Sequence, residues 1–393
     1  MEGVGAAGGS ARDVGCGVTT TSPGRAGWSA TPLTERLGIR YPIVQGPFGG
    51  GRSTVELAAA VTNAGGLGSF GAVDLEPDGI AEVAAGIRRL TPGPFALNLW
   101  VPLAPTLESP PSSAQYAGAV ALLRPHYDEL GVQPPPFDEV VAGFAGKFGR
   151  QVEAVLAARP AVFSFIYGVP PADVLNECRR LGIVTFGTAT NVAEAEALDA
   201  AGIDVIVASG LEAGGHRSSF LRPVAESLAV SALVPQVADR VRRPVIAAGG
   251  IADGRGAVAA FVLGAHGVQV GTAFLATPES GASAPHKAAL VAPTERSTVL
   301  TRVFTGRHAR GLVNRYVRDM LPHEAAVPAY PWQSRMIAPL AQAAGRAGIA
   351  DLMPLWAGQN VPLVTQRSAA ELMAFLVDDI DRVVRQTELW SRR

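Results

Sequence analysis

One histidine in this chain stands in a loop largely stripped of side chains: Val207-Ala-Ser-Gly-Leu-Glu-Ala-Gly-Gly-His216-Arg. A neutral imidazole near pH 7 is suited to taking a proton. Gly214 and Gly215 remove bulk on its N-terminal side, so a flat ligand can approach His216. The other histidines (His126, His266, His286, His308, His323) fall in helical patterns or in loops with no such context. On residue mechanics alone, a satisfied loop histidine and a general base are equally compatible with His216.

Two more glycine patches follow in order, Ala248-Gly249-Gly250 and Gln269-Val270-Gly271-Thr272. Glycines let backbone N–H groups come close to a phosphate, and a helix N-terminus adds a favourable dipole. The hydroxyl of Thr272 can add a donor. A lone Gly-Gly pair is more often a simple turn. Two such patches on consecutive strand ends favour phosphate binding, because barrels often hold phosphate after strands seven and eight. Asn98 ends an earlier apolar run, and its carboxamide can both donate to and accept from the edge of a heteroaromatic ring. Taken alone, it reads equally as a strand-end residue satisfying backbone. Trp100 and Phe48 could wall an apolar pocket or simply pack. Arg302, Arg307, Arg310 and Arg315 could meet an anionic ligand or a carrier protein; a solvated face or internal ion pairs is the stronger expectation.

The elements that must position these residues are read from apolar runs alternating with Ala-rich helical patterns. Eight short runs stand at 43–45, 67–70, 95–100, 161–166, 183–186, 205–208, 245–248 and 267–270. Continuous apolar runs are what strands buried on both faces look like. Helices are expected at 53–63, 77–90, 171–181, 192–201, 223–240 and 253–263. The rhythm breaks over 101–160, where Pro-rich joints flank two helices near 113–131 and 138–157, the first kinked or split by Pro125. Repeated βα units allow a closed barrel or an open doubly wound sheet. Eight units favour the α/β class as a (β/α)8 TIM barrel, with an insertion after strand three and a C-terminal helical and irregular lobe. Gln45-Gly46-Pro-Phe-Gly-Gly-Gly follows the first run but lacks the G-x-G-x-x-G spacing of a dinucleotide sheet. Three regions result: an extension at 1–30, the barrel at 31–300, and a C-terminal segment at 301–393, irregular over 320–366 and ending in an amphipathic helix over 368–388.

Bulk properties narrow the class. With 393 residues, 48% of them hydrophobic, the chain can build one large core. The net charge is −1 with no basic stripe, which makes nucleic acid a poor partner. No apolar run is long enough to cross a bilayer. Cys16 and Cys178 do not suggest a disulfide framework, so a reduced, cytoplasmic protein is expected. Residues 1–30 lack a continuous apolar signal region and read as a disordered extension.

These residues together resemble the nitronate monooxygenase family, FMN-dependent (β/α)8 barrels formerly called 2-nitropropane dioxygenases. The likeness runs from about 33 to 366. It rests on Tyr41-Pro-Ile-Val-Gln-Gly-Pro, Asn98, Glu212-Ala-Gly-Gly-His216-Arg, Ala247-Ala-Gly-Gly-Ile251 and Gly267-Val-Gln-Val-Gly-Thr272. The resemblance implies oxidation of a nitroalkane or nitronate to a carbonyl compound and nitrite with O2, with His216 as base. It implies an FMN phosphate on Gly249, Gly250, Gly271 and Thr272, and flavin or ribityl contacts from Asn98 and Gln269. Gln45, Gly46, Ser209, Gly214, Gly215 and Val270 complete the expected cofactor-binding set. Two positions depart from the family's pattern: Ser209 stands where Gln is usual, and Ser218 where Gly is usual. Both bear on the substrate class, and the 101–160 insertion and the tail beyond 300 could shape the pocket. Two other readings stay open. One is a flavin-dependent enoyl-acyl carrier protein reductase using NAD(P)H, which a basic docking cluster would favour. The other is a flavin-binding barrel without turnover. The sequence leaves a homodimer open.

Overall fold

A computed structural model describes residues 27–102, 109–142, 147–292 and 297–390. Among these residues, eleven strands occur in chain order: β1 Ile43–Gln45, β2 Gly68–Gly71, β3 Phe95–Trp100, β4 Val162–Ile166, β5 Val184–Ala189, β6 Val205–Ser209, β7 Gly215–His216, β8 Val245–Ala248, β9 Gly267–Val270, β10 Thr298–Thr301 and β11 Ala309–Leu312. All but β7, β10 and β11 form one parallel sheet in the order β1-β9-β8-β6-β5-β4-β3-β2. Its edges meet: Gln45 N–H donates to Leu67 O and Leu67 N–H to Ile43 O, both at 2.9 Å. The sheet is therefore a closed barrel, the alternative that the eight apolar runs favour.

The barrel interior is filled by side chains from around the ring, including Val44, Leu67, Ala96, Val162, Phe186, Val205, Val207 and Ile246. Leu33 and Leu37 of the helix Pro32–Leu37 join this cluster. They close the bottom of the cylinder, where a Cβ on Gly267 would lie 2.5 Å from Leu33. Ligand access is thus left to the opposite end, at the C-terminal tips of the strands.

Several elements depart from the sequence-based expectation, each for a visible reason. The extension does not run to residue 30. Gly27–Ser29 form a 3-10 turn, and the Trp28 indole donates to Asp381 at 2.6 Å while stacking on Tyr41 and Phe261. Residues 1–26, where the rest of the expected disordered extension falls, lie outside the described residues. The insertion forms Ser113–Leu130, Phe137–Val141 and Lys147–Ala158, and the first of these runs through Pro125 without breaking. The helix expected over 223–240 shrinks to a 3-10 turn at Val224–Glu226 and a helix at Val230–Ala238. The residues between are extended because Leu228 O accepts from Leu211 N–H at 2.8 Å and the Glu212 carboxylate accepts from Val230 N–H at 3.0 Å. The supposedly irregular segment contains a sixteen-residue helix, Trp332–Ala347.

The C-terminal lobe does not stand apart. β10, β11 and β7 make a second, antiparallel sheet, in which Ala309 pairs with His216 and Arg310 with Gly215. The final helix, Ala369–Trp390, packs against the barrel helix Gly254–Val262, and the Asp379 carboxylate accepts from Gly254 N–H at 2.7 Å. Among the described residues, no helix is long and apolar enough to cross a membrane, and no group of side chains could hold a metal ion.

Candidate active site at the open end of the barrel

A cavity of about 500 Å³ sits over the strand tips. Its wall takes Gly46 after β1, Asn98 and Trp100 from β3, Ser209 from β6, Gly249 and Gly250 after β8, and Gly271 and Thr272 after β9. His216, Gly214, Gly215 and Gln269 also face it. Two of the expected residues do not. Gln45 is fully buried, its side chain accepting from Ser69 N–H at 2.9 Å and donating to Gly46 O. Val270 packs in the core, and its carbonyl accepts from Gly46 N–H at 2.9 Å. Both support the wall from behind, because strand residues alternate in direction.

His216 is held at several points. Its backbone lies in β7, and the next residue continues the pairing, Arg217 N–H donating to His308 O at 2.9 Å. Its Nε2 is 2.9 Å from the Thr305 hydroxyl. Three rings surround the imidazole: Trp100 and Trp356 at 5.4 Å and Tyr330 at 6.0 Å between centroids. Burial, then the Arg307 and Arg52 charges, push the imidazole down from its ordinary value to about 3. His216 is therefore neutral across the physiological range, the state in which a base must wait.

The loop beneath it is braced by buried charge. The guanidinium of Arg217 donates to Gly210 O at 2.6 Å and to Ser209 O at 2.7 Å. Glu194, fully buried, accepts from Phe220 N–H at 2.6 Å and from Leu221 N–H at 3.0 Å. Gly214 is required by close backbone approach: a Cβ there would stand 2.6 Å from Gly358 N. The Gly358 N–H in turn donates to Thr272 Oγ1 at 2.9 Å, tying the C-terminal lobe to the β9 loop.

Beside this loop, where a Cβ on Gly249 would lie 3.0 Å from Ala213 N, the glycine patches offer what an anion needs. Gly249 and Gly250 have φ of +115° and +66°, a backbone that L side chains rarely adopt. The N–H groups of Gly249, Gly250 and Gly271 meet no acceptor among the described residues. Asn98 Nδ2 donates to Ser164 Oγ at 2.9 Å, which fixes how its carboxamide faces the cavity. Among the described residues, the charged side chains on the lining are Arg52 and Asp74.

Sequence reasoning missed Thr305, Tyr330 and Trp356, which reach His216 from the far end of the chain, and Arg52 and Asp74 on the rim. No periodicity marks them; the aromatic residues within Gly- and Pro-rich stretches were the available signal. The insertion contributes no described residue to the lining, whereas the tail beyond 300 contributes a large share. The arginine cluster is not a docking patch. Arg307 donates to Ser219 O at 2.5 Å and covers the Tyr167 ring at 4.3 Å, Arg310 donates to Leu211 O at 3.0 Å, Arg302 donates to Gly306 O at 3.0 Å, and Arg315 pairs with Glu129.

Comparison with known proteins agrees with this geometry. The family model described as nitronate monooxygenase matches residues 30–379. A probable nitronate monooxygenase of Staphylococcus aureus (strain Newman) is 36% identical over 359 residues, covering 91% of this chain and 99% of the relative. Among solved structures, nitroalkane oxidase from Streptomyces ansochromogenes is 36% identical with a TM-score of 0.81, covering 90% of this chain and 99% of that one. FabK from Thermotoga maritima is 27% identical with a TM-score of 0.70, covering 92% and 99%.

Proposed function

The chain belongs to the nitronate monooxygenase family, an oxidoreductase of nitro compounds, and from that premise we propose that it binds FMN and oxidises alkyl nitronates, or nitroalkanes after proton removal, to a carbonyl compound and nitrite with O2. The observation that carries this reading is one cavity lined both by a neutral, ring-enclosed imidazole and by unpartnered glycine N–H groups. That pairing suits a proton acceptor facing a phosphorylated ring.

The residues present fit FMN. Gly249, Gly250, Gly271 and Thr272 would hold the phosphate through backbone N–H groups, in the manner of anion sites at strand-to-helix turns. Asn98, Gln269, Ser209 and Gly46 would meet the ring or the ribityl chain, while Gly214 and Gly215 keep the His216 loop thin enough for a flat ring to lie beside it. Bound there, FMN supplies the electron acceptor and the route to oxygen.

The chain's own work is proton transfer and exclusion of water. His216 takes the proton from the carbon bearing the nitro group. Its neutral form is ready because burial disfavours the imidazolium until a neighbouring negative charge appears. The nitronate formed by that step is such a charge. Trp100, Tyr330 and Trp356 shield the site, which strengthens the attraction between imidazolium and nitronate.

The alternative of a reductase acting on a carrier-bound substrate loses its main support, because the engagement of Arg302, Arg307, Arg310 and Arg315 within the fold removes the basic face that favoured a carrier protein. One preparation tests both. Purified protein is expected to be yellow, to release FMN on denaturation, and to produce nitrite from ethyl nitronate in air. Colourless protein that cannot be loaded with FMN, or NAD(P)H consumption with an enoyl thioester and no nitrite, would overturn the reading.

A further inference from the structure

We propose that Thr305 sets the tautomer of His216, so that Nε2 carries the ring proton and Nδ1 presents the lone pair that receives the substrate's proton. This rests on the reading of His216 as the base and adds which atom acts and what chooses it.

The argument is a count of donors. Thr305 has one hydroxyl proton and two lone pairs. Its Oγ1 lies 3.1 Å from the carbonyl oxygen of Arg307, accepts from Arg307 N–H at 3.4 Å, and lies 2.9 Å from His216 Nε2. A carbonyl can only accept, and Arg307 O meets no other donor among the described residues. The hydroxyl proton therefore belongs to Arg307 O. What Oγ1 offers the ring is a lone pair, so Nε2 must carry hydrogen. A neutral imidazole has one N–H, which leaves Nδ1 unprotonated.

The setting makes this arrangement firm. Thr305 is 6% exposed, so water competes little for its hydroxyl. It stands between β10 and β11, and β11 also pairs with His216 through Ala309. One hairpin thus fixes both the backbone of the histidine and its ring. A hydroxyl also carries no charge. Thr305 orients the ring without giving the imidazolium a counter-ion, so the ring stays neutral until substrate charge develops. Thr305 is a positioning residue; it does not itself take the proton.

The test uses the purified full chain, labelled with ¹⁵N-histidine, as wild type and as Thr305→Val and Thr305→Ser. His216 signals are assigned by their loss in His216→Gln. In wild type the expected spectrum shows a protonated Nε2 and an unprotonated Nδ1. In Thr305→Val the two nitrogens should move toward a common average, and Thr305→Ser should restore the wild-type pattern. In steady state, Thr305→Val should lower kcat/KM for neutral nitroethane about tenfold, the scale of one lost hydrogen bond. It should leave kcat/KM for ethyl nitronate within about twofold, because no proton is then removed.

A protonated Nδ1 in wild type overturns the assignment by itself, even should the valine variant fail to fold. So does a valine variant with an unaltered tautomer. A protein inert toward every nitro compound yet showing Nε2–H would retain the Thr305 assignment and defeat the proposed activity, so the two failures are distinguishable.

Discussion

Arg217 Nη2 donates to the carbonyl oxygen of Ser209 at 2.7 Å from a side chain that is 1% exposed. The residue following the catalytic candidate thus folds under its own loop and holds that loop's start, with Gly210 O as second acceptor at 2.6 Å. Arg217→Met leaves the Ser209 carbonyl buried without a donor and leaves Gly210 O with only the Ala213 N–H at 3.1 Å. An orphaned buried carbonyl costs about 1–3 kcal/mol, and stability should fall by about that much. Arg217→Lys should recover little, because one ammonium cannot reproduce the planar fork. Urea unfolding followed by intrinsic fluorescence measures both. An unaltered midpoint in the methionine variant would show that the loop does not depend on this clamp.

His216→Gln should lower kcat/KM for neutral nitroethane by about 10²-fold or more, the usual worth of a general base. The loss with pre-formed ethyl nitronate should be smaller. Nitrite release under matched oxygen separates the two. Equal losses on both substrates would take proton transfer away from His216.

The pH dependence follows from the direction of two shifts. Burial lowers the His216 imidazole to about 3 and the His286 imidazole to about 4, whereas the unfolded chain titrates near the ordinary histidine value of 6.5. Between those limits the unfolded state binds more protons, so folding stability is full above about pH 6.5 and falls as the pH drops toward 3. His286→Asn should flatten part of that decline. For the same reason kcat/KM with a neutral nitroalkane should show no acid limb near 6.5. A limb centred there would mean that His216 titrates like a solvated histidine.

Gly250→Val should deplete flavin more than it unfolds the chain. The position has φ +66°, and an added Cβ would lie 3.2 Å from the Glu212 Cβ. The ratio of visible to ultraviolet absorbance, set against the thermal midpoint, reads the two effects separately. Full flavin content in this variant would count against the phosphate assignment.

The barrel was legible because its signals are local. Runs such as Phe95–Trp100, Val245–Ala248 and Gly267–Val270 are buried on both faces and bounded by glycine or proline, and each stands where its apolar run lies. His216 and the later glycines were legible for a similar reason, since each sits a few residues past a strand end. What surrounds His216 was not legible. Thr305 meets it across 89 positions of sequence, and Trp356 and Tyr330 approach from a segment with no strand or helix period. The helix Trp332–Ala347 hid behind Pro339, which argues against a helix locally and is tolerated here. Gln45 misled because its place beside a glycine loop suggests a ligand contact, whereas the alternation of β1 turns it inward to Ser69.

The pairing of Gly215–His216 with Ala309–Arg310 has a consequence for biosynthesis. A nascent chain released only as far as β9 has the whole cylinder yet lacks the strand that anchors its imidazole and two of the three rings around it, Tyr330 and Trp356. The cavity is completed only after the later third of the polypeptide has left the ribosome. A messenger truncated at the barrel's end would therefore encode a vessel with this imidazole unmoored and open to solvent.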